Sequence, residues 1–306
     1  MTRLVGFVSH PDCARHDTGW NHPDHQGRLP AIRNAVYADM VTLFEHLVEV
    51  GGRHASDEEL ELVHTAEYLA QVQSWSGAAA KQGGPIEVQP GLRVSEASWD
   101  AARAAVGCVL TAIDTVIDGR TTSAFCASRP PGADASPDSA AGFCLLNSVA
   151  VGARHLIERR SIRPLLVIEL RGGTPSALSS LLAEDPDVRV LSFAAEAGSP
   201  LSPAFPALPP SVPSMRDALT EAYIDEPPPA FILLAAGFDI VAVDPVGHLG
   251  LLPGDVYELT AILREWADRV CAGRLVSVLE GGYAARELGE AVVRHVRALA
   301  ALPCPA

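Results

Sequence analysis

The stretch AFILLAAG, residues 230–237, consists only of apolar and small residues. An uninterrupted run of this length predicts a β-strand with both faces covered, as in the interior of a parallel sheet. Five further runs are mainly apolar: LVGFV (4–8), SAFCAS (123–128), PLLVIEL (164–170), VRVLSFA (188–194) and LVSVLEGG (275–282). The sequence therefore predicts a buried parallel sheet as the centre of the fold.

Helical patterns alternate with these runs along the chain. They cover residues 30–50, 57–75, 97–118, 147–160, 214–223, 254–271 and 286–300. The repeated order of strand and helix is typical of a parallel sheet with helices on both faces. We therefore predict an α/β fold, a three-layer sandwich around a mostly parallel sheet.

One segment interrupts this alternation. The prolines of SPLSPAFPALPPSVPS (199–214) predict irregular structure there. The segment is too short to separate two domains, and the chain has no internal repeat. We expect residues 1–306 to form one domain around a single large core.

Charge and cysteine content restrict the partners and the compartment. The net charge of −14 disfavours nucleic acid, whose phosphates such a surface repels, and suits cationic ligands. The six cysteines include no C-x-x-C pair, which predicts free thiols in a reducing compartment. The first apolar run is too short for a signal peptide, and no stretch has the roughly eighteen apolar residues that span a bilayer. We expect a cytoplasmic protein that binds neither nucleic acid nor membrane.

Ligands of parallel sheets bind in the loops that follow the carboxyl ends of the strands. In this chain those loops are residues 9–29, 129–147, 169–178, 195–213, 238–250 and 280–285. We expect the functional side chains among them.

The polar residues in the loops 238–250 and 280–285 each have a functional and a structural interpretation. Asp239 and Asp244 follow the strand at 230–237. A carboxylate in that position acts as a metal ligand or general base, or it accepts hydrogen bonds from loop amides. Tyr283 ends the motif LEGGY, where its hydroxyl donates to a substrate oxygen or its ring packs over the loop.

The loops 9–29 and 169–178 also have a functional and a structural interpretation. His10, His16, His22 and His25 lie in one short loop, where imidazoles bind a transition metal or serve as solvated and capping residues. The segment RGG (171–173) connects a predicted strand to a predicted helix. It is either a loop whose backbone binds an anion or an ordinary turn. It is not a phosphate-binding P-loop, because no G-K-[ST] follows.

Taken together, the loops resemble the histone deacetylase and acetylpolyamine amidohydrolase family. The matching segments are HPDCARHDTGWNHPDHQGRL, LVHTAEYL, RPPG…GFCLLNSVAVGARHL, EDPDVRVLSF, GFDIVAVDPVG and LEGGY. They occur in the order of the family between residues 10 and 283. The resemblance implies an arginase–deacetylase type of fold, with a parallel sheet of about eight strands, and hydrolysis of N-acetyl amides.

The resemblance also implies a zinc site. In the family, the aspartate and the histidine of a D-x-H motif hold zinc together with a second aspartate. A histidine pair after RPPG transfers protons, and the tyrosine of the GGY motif stabilises the oxyanion. The D-x-H segment can be aligned without gaps by counting back from Asp185. In this alignment Glu169 takes the place of the acid at the strand end, Arg171 that of the zinc aspartate and Gly173 that of the zinc histidine.

Further departures affect the remaining chemistry. The histidine pair falls on Ala133 and Asp134, so Asp244 is the only retained zinc-ligand position. Tyr283 is retained, and so is Phe143, which lines an acyl tunnel in the family.

Other residues complete the expected pocket. We expect Gly142, His22 and Asp239 to line it. Arg171 is predicted to occupy the place of the metal, with Asp244 as its first partner and Asp134 as a further one.

Three functions remain open. The first is a zinc-independent, non-hydrolytic ligand-binding or regulatory pseudoenzyme, as a homo-oligomer or paired with an active relative. The second is a metal-free enzyme for an acyl or amide small molecule, with Asp134 as acid or base, Tyr283 as hydrogen-bond donor and Arg171 as anchor. The third is a residual zinc hydrolase with ligands from the N-terminal histidines. We favour the first, predict no zinc or other cofactor, and leave potassium open.

Overall fold

The computed structural model describes residues 2–194, 211–221, 227–247 and 249–305. Seven parallel strands form its main sheet, in the order β2-β1-β5-β9-β8-β6-β7, and two antiparallel strands form a hairpin, β3-β4. The strands are β1 (Val5–Ser9), β2 (Leu47–Gly51), β3 (Ile86–Gln89), β4 (Leu92–Val94), β5 (Ser123–Cys126), β6 (Leu165–Leu170), β7 (Val188–Phe193), β8 (Phe231–Ala236) and β9 (Leu275–Leu279). The predicted α/β sandwich is confirmed.

Helices lie on both faces of this sheet. They are α1 (Arg28–Ala38), α2 (Met40–Leu43), α3 (Asp57–Leu60), α4 (Ala66–Gln82), α5 (Ser98–Ile117), α6 (Ser148–Arg154), α7 (Leu178–Leu182), α8 (Val212–Glu221), α9 (Pro253–Cys271) and α10 (Ala285–Leu299). Helices α1, α8, α9 and α10 share one apolar core with the sheet, and α5, α6 and α7 share the core on the opposite face. No helix within the described ranges is long and apolar enough to cross a membrane.

A smaller core lies outside the sandwich. Tyr68 and Val72 of α4 pack with Leu92 of β4 against Leu110, on the outer side of α5. This layer covers α5, which explains why that helix is apolar around most of its circumference. The hairpin itself was not predicted, because its two strands are only four and three residues long.

The edge of the sheet differs from the prediction. The helix expected over residues 30–50 ends at Leu43, and Leu47–Gly51 forms the edge strand β2. That strand, LVEVG, is at most partly buried, and the exposed Glu49 interrupts its apolar residues, so it lacks the continuous apolar run of the inner strands. The main sheet has seven strands in the described part of the chain, where about eight were expected.

Two expectations concern the proline-rich segment. Its residues 199–210 lie outside the described ranges, as does the predicted loop 195–213 up to residue 210. The end of the segment is helical, because α8 begins at Val212 and accommodates Pro213 in its first turn.

The middle of the sheet positions the site. Strands β5, β9, β8 and β6 are consecutive parallel neighbours, so their carboxyl ends lie at the same edge of the sheet. Leu170 pairs with Ala236, and Ala236 pairs with Leu279. The four loops that follow these strands therefore start side by side.

Candidate functional site

The loops after β5, β6, β8 and β9 enclose a small cavity at the carboxyl end of the sheet. Its volume is about 30 Å³, which is room for one or two water molecules. The lining residues are Pro131, Ala133, Asp134, Cys144, Glu169, Leu170, Arg171, Ala235, Asp239, Glu280, Gly281 and Tyr283. The four loops that start side by side at this edge of the sheet therefore meet around one cavity.

Arg171 lies among the carboxylates of this cavity. Its Nη1 donates to Asp134 Oδ1 at 2.7 Å, and its Nη2 donates to Asp134 Oδ2 at 3.3 Å, a forked pairing. Nη1 also lies 3.3 Å from Glu169 Oε1. Burial by itself would lower the pKa of Arg171, but Asp134, Glu169 and Asp239 outweigh it and the pKa lies above its usual range. Arg171 is a permanent cation here.

Glu169, the last but one residue of β6, is fixed from three sides. Its Oε2 accepts a hydrogen bond from the hydroxyl of Ser192 at 2.6 Å, and its Oε1 accepts from the amide of Ser176 at 3.1 Å. Only 1% of the residue is exposed. The contact with Arg171 supplies the opposite charge that a buried carboxylate requires.

Asp239 turns from the loop after β8 into the cavity. Its Oδ2 accepts from the amide of Gly172 at 2.9 Å, while Oδ1 has no hydrogen-bond partner among the described residues. A Cβ added at Gly237 or Gly281 would lie 2.4 Å from that Oδ1, so only glycine leaves room for the carboxylate. Burial raises the pKa of Asp239 to about 6, although Gly172 and Arg171 act in the opposite direction.

Glu280 is a site residue that the sequence analysis did not identify. Its Oε2 accepts from the amides of Gly132 and Ala133 at 2.7 and 3.0 Å, and its Oε1 has no partner in the described part of the chain. Burial raises the pKa of Glu280 to about 7, against the effect of the two amides. A charged residue directly after the apolar run LVSVL was the available signal.

Asp244 does not lie where it was predicted to lie. Its Oδ1 accepts from the amides of Val246 and Gly247 at 2.9 and 3.2 Å. Its Oδ2 accepts from the amides of Tyr283 and Ala284 at 2.5 and 3.3 Å. Asp244 therefore fixes the loops after β8 and β9, and the interpretation as an acceptor for loop amides is correct. The predicted pairing of Arg171 with Asp134 is confirmed, whereas Asp239 takes the place beside Arg171 that was assigned to Asp244.

Three aromatic rings pack together beside the cavity, and of these Tyr283 lines it, whereas Phe143 and His22, which were expected to line the pocket, do not. The ring of Phe143 lies between those of His22 and Tyr283, with centroids 4.6 and 5.3 Å away and edge-to-face geometry. His22 also bonds the carbonyl of Gly91 at 2.8 Å through its Nε2. The guanidinium of Arg28 lies 4.7 Å from the centroid of the Tyr283 ring. Burial raises the pKa of the Tyr283 hydroxyl well above its usual value, so this group stays protonated.

The loop that carries Asp134 turns tightly at Gly142. The φ of Gly142 is +57°, and a Cβ there would lie 3.1 Å from Asp134 Oδ2. The thiol of Cys144 lies 3.8 Å from the same oxygen. Burial and the charge of Asp134 raise the pKa of this thiol well above its usual value, so Cys144 is not a thiolate nucleophile.

A second arginine cluster supports these loops from behind. Asp24 accepts from Arg28 at 2.6 Å and from Arg129 through both oxygens, at 2.8 and 3.0 Å. Arg28 also donates to the carbonyls of Glu280 and Gly282, each at 2.6 Å. All three charged side chains are fully buried. The cluster joins the N-terminal loop, the RPPG turn and the GGY loop.

The N-terminal histidines do not share one site. The Nδ1 of His16 is 2.7 Å from the Ser98 hydroxyl, and burial lowers the pKa of His16 to about 3. His22 packs on Phe143, while His25 packs beside Trp20. Only His10 lies in a group of potential metal ligands, together with Asp12 and His54, within the described residues.

The fold and the position of the cavity define an α/β protein with a small polar cavity at the carboxyl ends of its central strands, where ligands of such sheets bind. The sequence model of the histone deacetylase domain family matches residues 22–199 and 213–299. These ranges include most of the chain, and the chain therefore belongs to the histone deacetylase domain family.

Curated relatives are similar over almost the whole chain. A histone deacetylase-like amidohydrolase of Pseudomonas aeruginosa is 29% identical over 299 residues, which are 91% of this chain and 75% of the relative. A probable deacetylase of Archaeoglobus fulgidus is 27% identical over 299 residues, or 92% and 81% of the two chains. The mouse polyamine deacetylase HDAC10 is 28% identical over 98% of this chain, which spans 49% of that longer protein.

A solved structure agrees with the fold. The crystal structure of the HDA15 HD domain superimposes with a TM-score of 0.83, over 99% of this chain and 90% of that domain. The two sequences are 21% identical, so this likeness concerns the fold alone.

Proposed function

We propose that this chain is a non-hydrolytic member of the deacetylase family, in which the guanidinium of Arg171 takes the place of the zinc ion. The single observation that carries the proposal is the position of Arg171, 2.7 Å from Asp134 and 3.3 Å from Glu169, in the cavity that Asp239 also lines. The charge of the guanidinium is fixed to the chain and does not dissociate.

The chemistry of the donors supports this proposal. A catalytic zinc site uses three protein ligands and includes histidine in its usual forms. Among the described residues, the cavity lining contains carboxylates and one thiol, whose pKa is raised, and no imidazole. A zinc ion in the place of the guanidinium would displace Arg171 from Asp134 and Glu169, and a permanently protonated arginine is not a metal ligand. We propose that these residues do not fit zinc, and we derive no reaction step through a metal.

The size of the cavity favours binding over turnover. At about 30 Å³ it accepts a small polar group, and it does not enclose an acylated amine together with an attacking water. Asp134, Glu169, Asp239 and Glu280 surround the single cation of Arg171. Since negative charge is in excess, we propose that the ligand is a protonated amine whose ammonium end enters the cavity.

Binding of an amine is measurable as thermal stabilisation. We expect millimolar primary amines or polyamines to raise the melting temperature of the full-length chain at pH 8, because they bind the folded state only. The Asp239→Asn variant removes one charge at nearly constant volume and serves as the matched control. Equal shifts in both proteins would contradict an amine site at this cavity.

Hydrolysis is tested separately. The chain, purified without a histidine tag, is incubated with an acetyl-lysine peptide and an N-acetylpolyamine, with zinc or with a chelator, and released acetate is measured. We expect the rate of the wild type to equal that of Asp239→Asn under both conditions. Acetate release that a chelator and Asp239→Asn both abolish would instead show the residual zinc hydrolase.

A metal-free enzyme is the second candidate. One observation favours it, because Asp134, Arg171 and Tyr283 line the same cavity. Asp134 would act as acid or base, Arg171 as anchor and the protonated Tyr283 hydroxyl as donor. Acetate release that is insensitive to chelators and lost in both Asp134→Asn and Tyr283→Phe would establish this function.

The proposed function also suggests a partner protein and a cellular compartment for this chain. The relatives bear the names of deacetylases, and pairing with an active relative would give a non-hydrolytic chain a regulatory role. We also propose a reducing, cytoplasmic environment, which is supported by five buried cysteines that carry free thiols.

A further inference from the structure

We propose that His10, Asp12 and His54 form a binding site for a divalent transition metal, away from the cavity that contains Arg171. None of the three residues lines that cavity. One donor atom from each residue lies within 4.8 Å of the other two. This proposal is independent of the proposed function.

The fold brings the three residues together at the edge of the sheet. Strands β1 and β2 are parallel and in register, and their last residues, Ser9 and Gly51, are paired. His10 follows β1 directly, and His54 follows β2 by three residues. Asp12 lies in the short 3-10 helix that begins at Pro11. The ligands are therefore at the carboxyl ends of two neighbouring strands.

The loop that carries His54 has a fixed position. The amide of Gly52 donates to the carbonyl of Ser9 at 2.9 Å, and the amide of Ala55 donates to the carbonyl of Arg103 at 3.0 Å. A Cβ at Gly52 would lie 2.5 Å from the sulfur of Cys108, so the loop packs closely on α5. These contacts hold His54 near Asp12 without a bound ion.

The distances are close to those of a metal site. Asp12 Oδ2 lies 2.9 Å from His54 Nε2 and 3.8 Å from His10 Nδ1. The two imidazole rings have centroids 4.8 Å apart. In a tetrahedral zinc site with bonds near 2 Å, donor atoms lie about 3.3 Å from one another. Small side-chain rotations are enough to reach that geometry.

The chemistry of the ligands indicates a transition metal. Two imidazoles and one carboxylate suit zinc, cobalt or nickel, whereas calcium and magnesium prefer oxygen ligands alone. The Nδ1 of His10 accepts from the amide of Asp12 at 3.2 Å, and a bond from Nδ1 to the ion would replace this hydrogen bond. The Nη1 of Arg15 donates to Asp12 Oδ1 at 3.0 Å and orients the carboxylate, leaving Oδ2 for the ion.

Ions have access to this group. The side chains of His10 and Asp12 are 18% exposed, and that of His54 is 34% exposed. The net charge of −14 raises the local concentration of cations near the surface. Water can complete the coordination from the solvent side.

Cobalt binding tests the proposal on the full-length chain, purified without a histidine tag and treated with a chelator. We expect one Co²⁺ per chain in a visible-absorption titration, with d–d bands of a four- or five-coordinate site. His54→Ala and Asp12→Asn are expected to weaken binding at least tenfold. Excess Zn²⁺ should displace the Co²⁺ and raise the melting temperature of the wild type alone.

Two controls locate the site. His46→Ala removes a half-buried histidine that bonds the carbonyl of Arg3 and is expected to leave Co²⁺ binding unchanged. Asp239→Asn alters the other cavity and is also expected to have no effect. The proposal is overturned if the wild type does not bind, if His54→Ala and Asp12→Asn bind as tightly as the wild type, or if Asp239→Asn abolishes binding. His10→Ala provides a third ligand variant in case one of the others does not fold.

Discussion

Two clusters of arginine and acid lie at the same end of the sheet, and they are built differently. In the first cluster, Arg28 and Arg129 share the carboxylate of Asp24 and donate further hydrogen bonds to backbone carbonyls. All three side chains are completely buried. Burial would raise the pKa of Asp24, but the charges of Arg129 and Arg28 outweigh it and the pKa lies well below its usual range.

In the second cluster, negative charge is in excess. Arg171 is one cation among the carboxylates of Asp134, Glu169, Asp239 and Glu280. Three of its polar atoms, Arg171 Nε, Asp239 Oδ1 and Glu280 Oε1, are buried without a partner among the described residues. The side chains of Asp134 and Arg171 are partly exposed.

The difference between the two clusters indicates that one stabilises the loops and the other binds a ligand. Buried polar groups are normally satisfied, as they are around Arg129, because an unsatisfied group is costly. Unsatisfied groups beside a cavity are typical of sites that receive a ligand. We therefore interpret the cluster around Asp24 as the support of the loops and that around Arg171 as the ligand site.

The largest effect is expected for Asp24→Ala. This change leaves Arg28 and Arg129 buried without a counter-charge, and breaking such a cluster costs about 3–5 kcal/mol. Urea unfolding at pH 7.5 measures the loss. A loss below about 1 kcal/mol would contradict the supporting role of the cluster.

Glu280→Gln is expected to change the pH dependence of stability. In the wild type, the pKa of Glu280 is about 7 in the folded state and 4.5 in its ordinary range, so the folded state binds more protons between these values. Wild-type stability therefore falls as the pH rises from 4.5 to 7, by on the order of 3 kcal/mol from this group. The stability of the glutamine variant lacks this decrease. The variant therefore becomes more stable relative to the wild type as the pH rises from 4.5 to 7. A constant difference between the two unfolding curves would contradict the raised pKa.

Arg171→Met is expected to destabilise the chain by about 1–3 kcal/mol at pH 8, because the carboxylates that line the cavity lose the cation that lies among them. The loss should be smaller at pH 5, where Asp239 and Glu280 are protonated in the folded state. Urea unfolding at the two pH values measures the difference. An equal or larger loss at pH 5 would show that Arg171 does not compensate these acids.

The smallest effect is expected for Arg286→Ala. Arg286 forms an i,i+4 pair with Glu290 on α10, and its side chain is 83% exposed. Such pairs contribute at most about 0.5 kcal/mol. The variant sets the baseline for unfolding measurements on the two buried clusters, and a loss above about 1 kcal/mol would invalidate it as that baseline.

The sequence predicted the inner sheet well, because strands covered on both faces must be continuously apolar. Six of the seven strands of the main sheet were identified this way. The edge strand Leu47–Gly51 was not, since one exposed face permits the charged Glu49 and removes the signal. The strands were predicted from the apolar runs that burial requires, and not from the β-propensity of single residues.

The candidate site was predictable in part. The family resemblance put Asp134 and Arg171 at positions around the zinc ion, and their opposite charges indicated the pairing. Sequence alone could not distinguish Asp239 from Asp244, because both follow the same strand. The choice depends on Gly237 and Gly281, whose missing side chains admit the carboxylate of Asp239 and which lie 44 residues apart in the chain.

A crystal structure of the tag-free chain grown with zinc chloride, with anomalous data at the zinc edge, tests the central claim most directly. The account predicts that the guanidinium of Arg171 lies between Asp134 and Glu169, with no anomalous peak in the cavity. A zinc peak on Asp239, with Arg171 turned towards solvent, would contradict it.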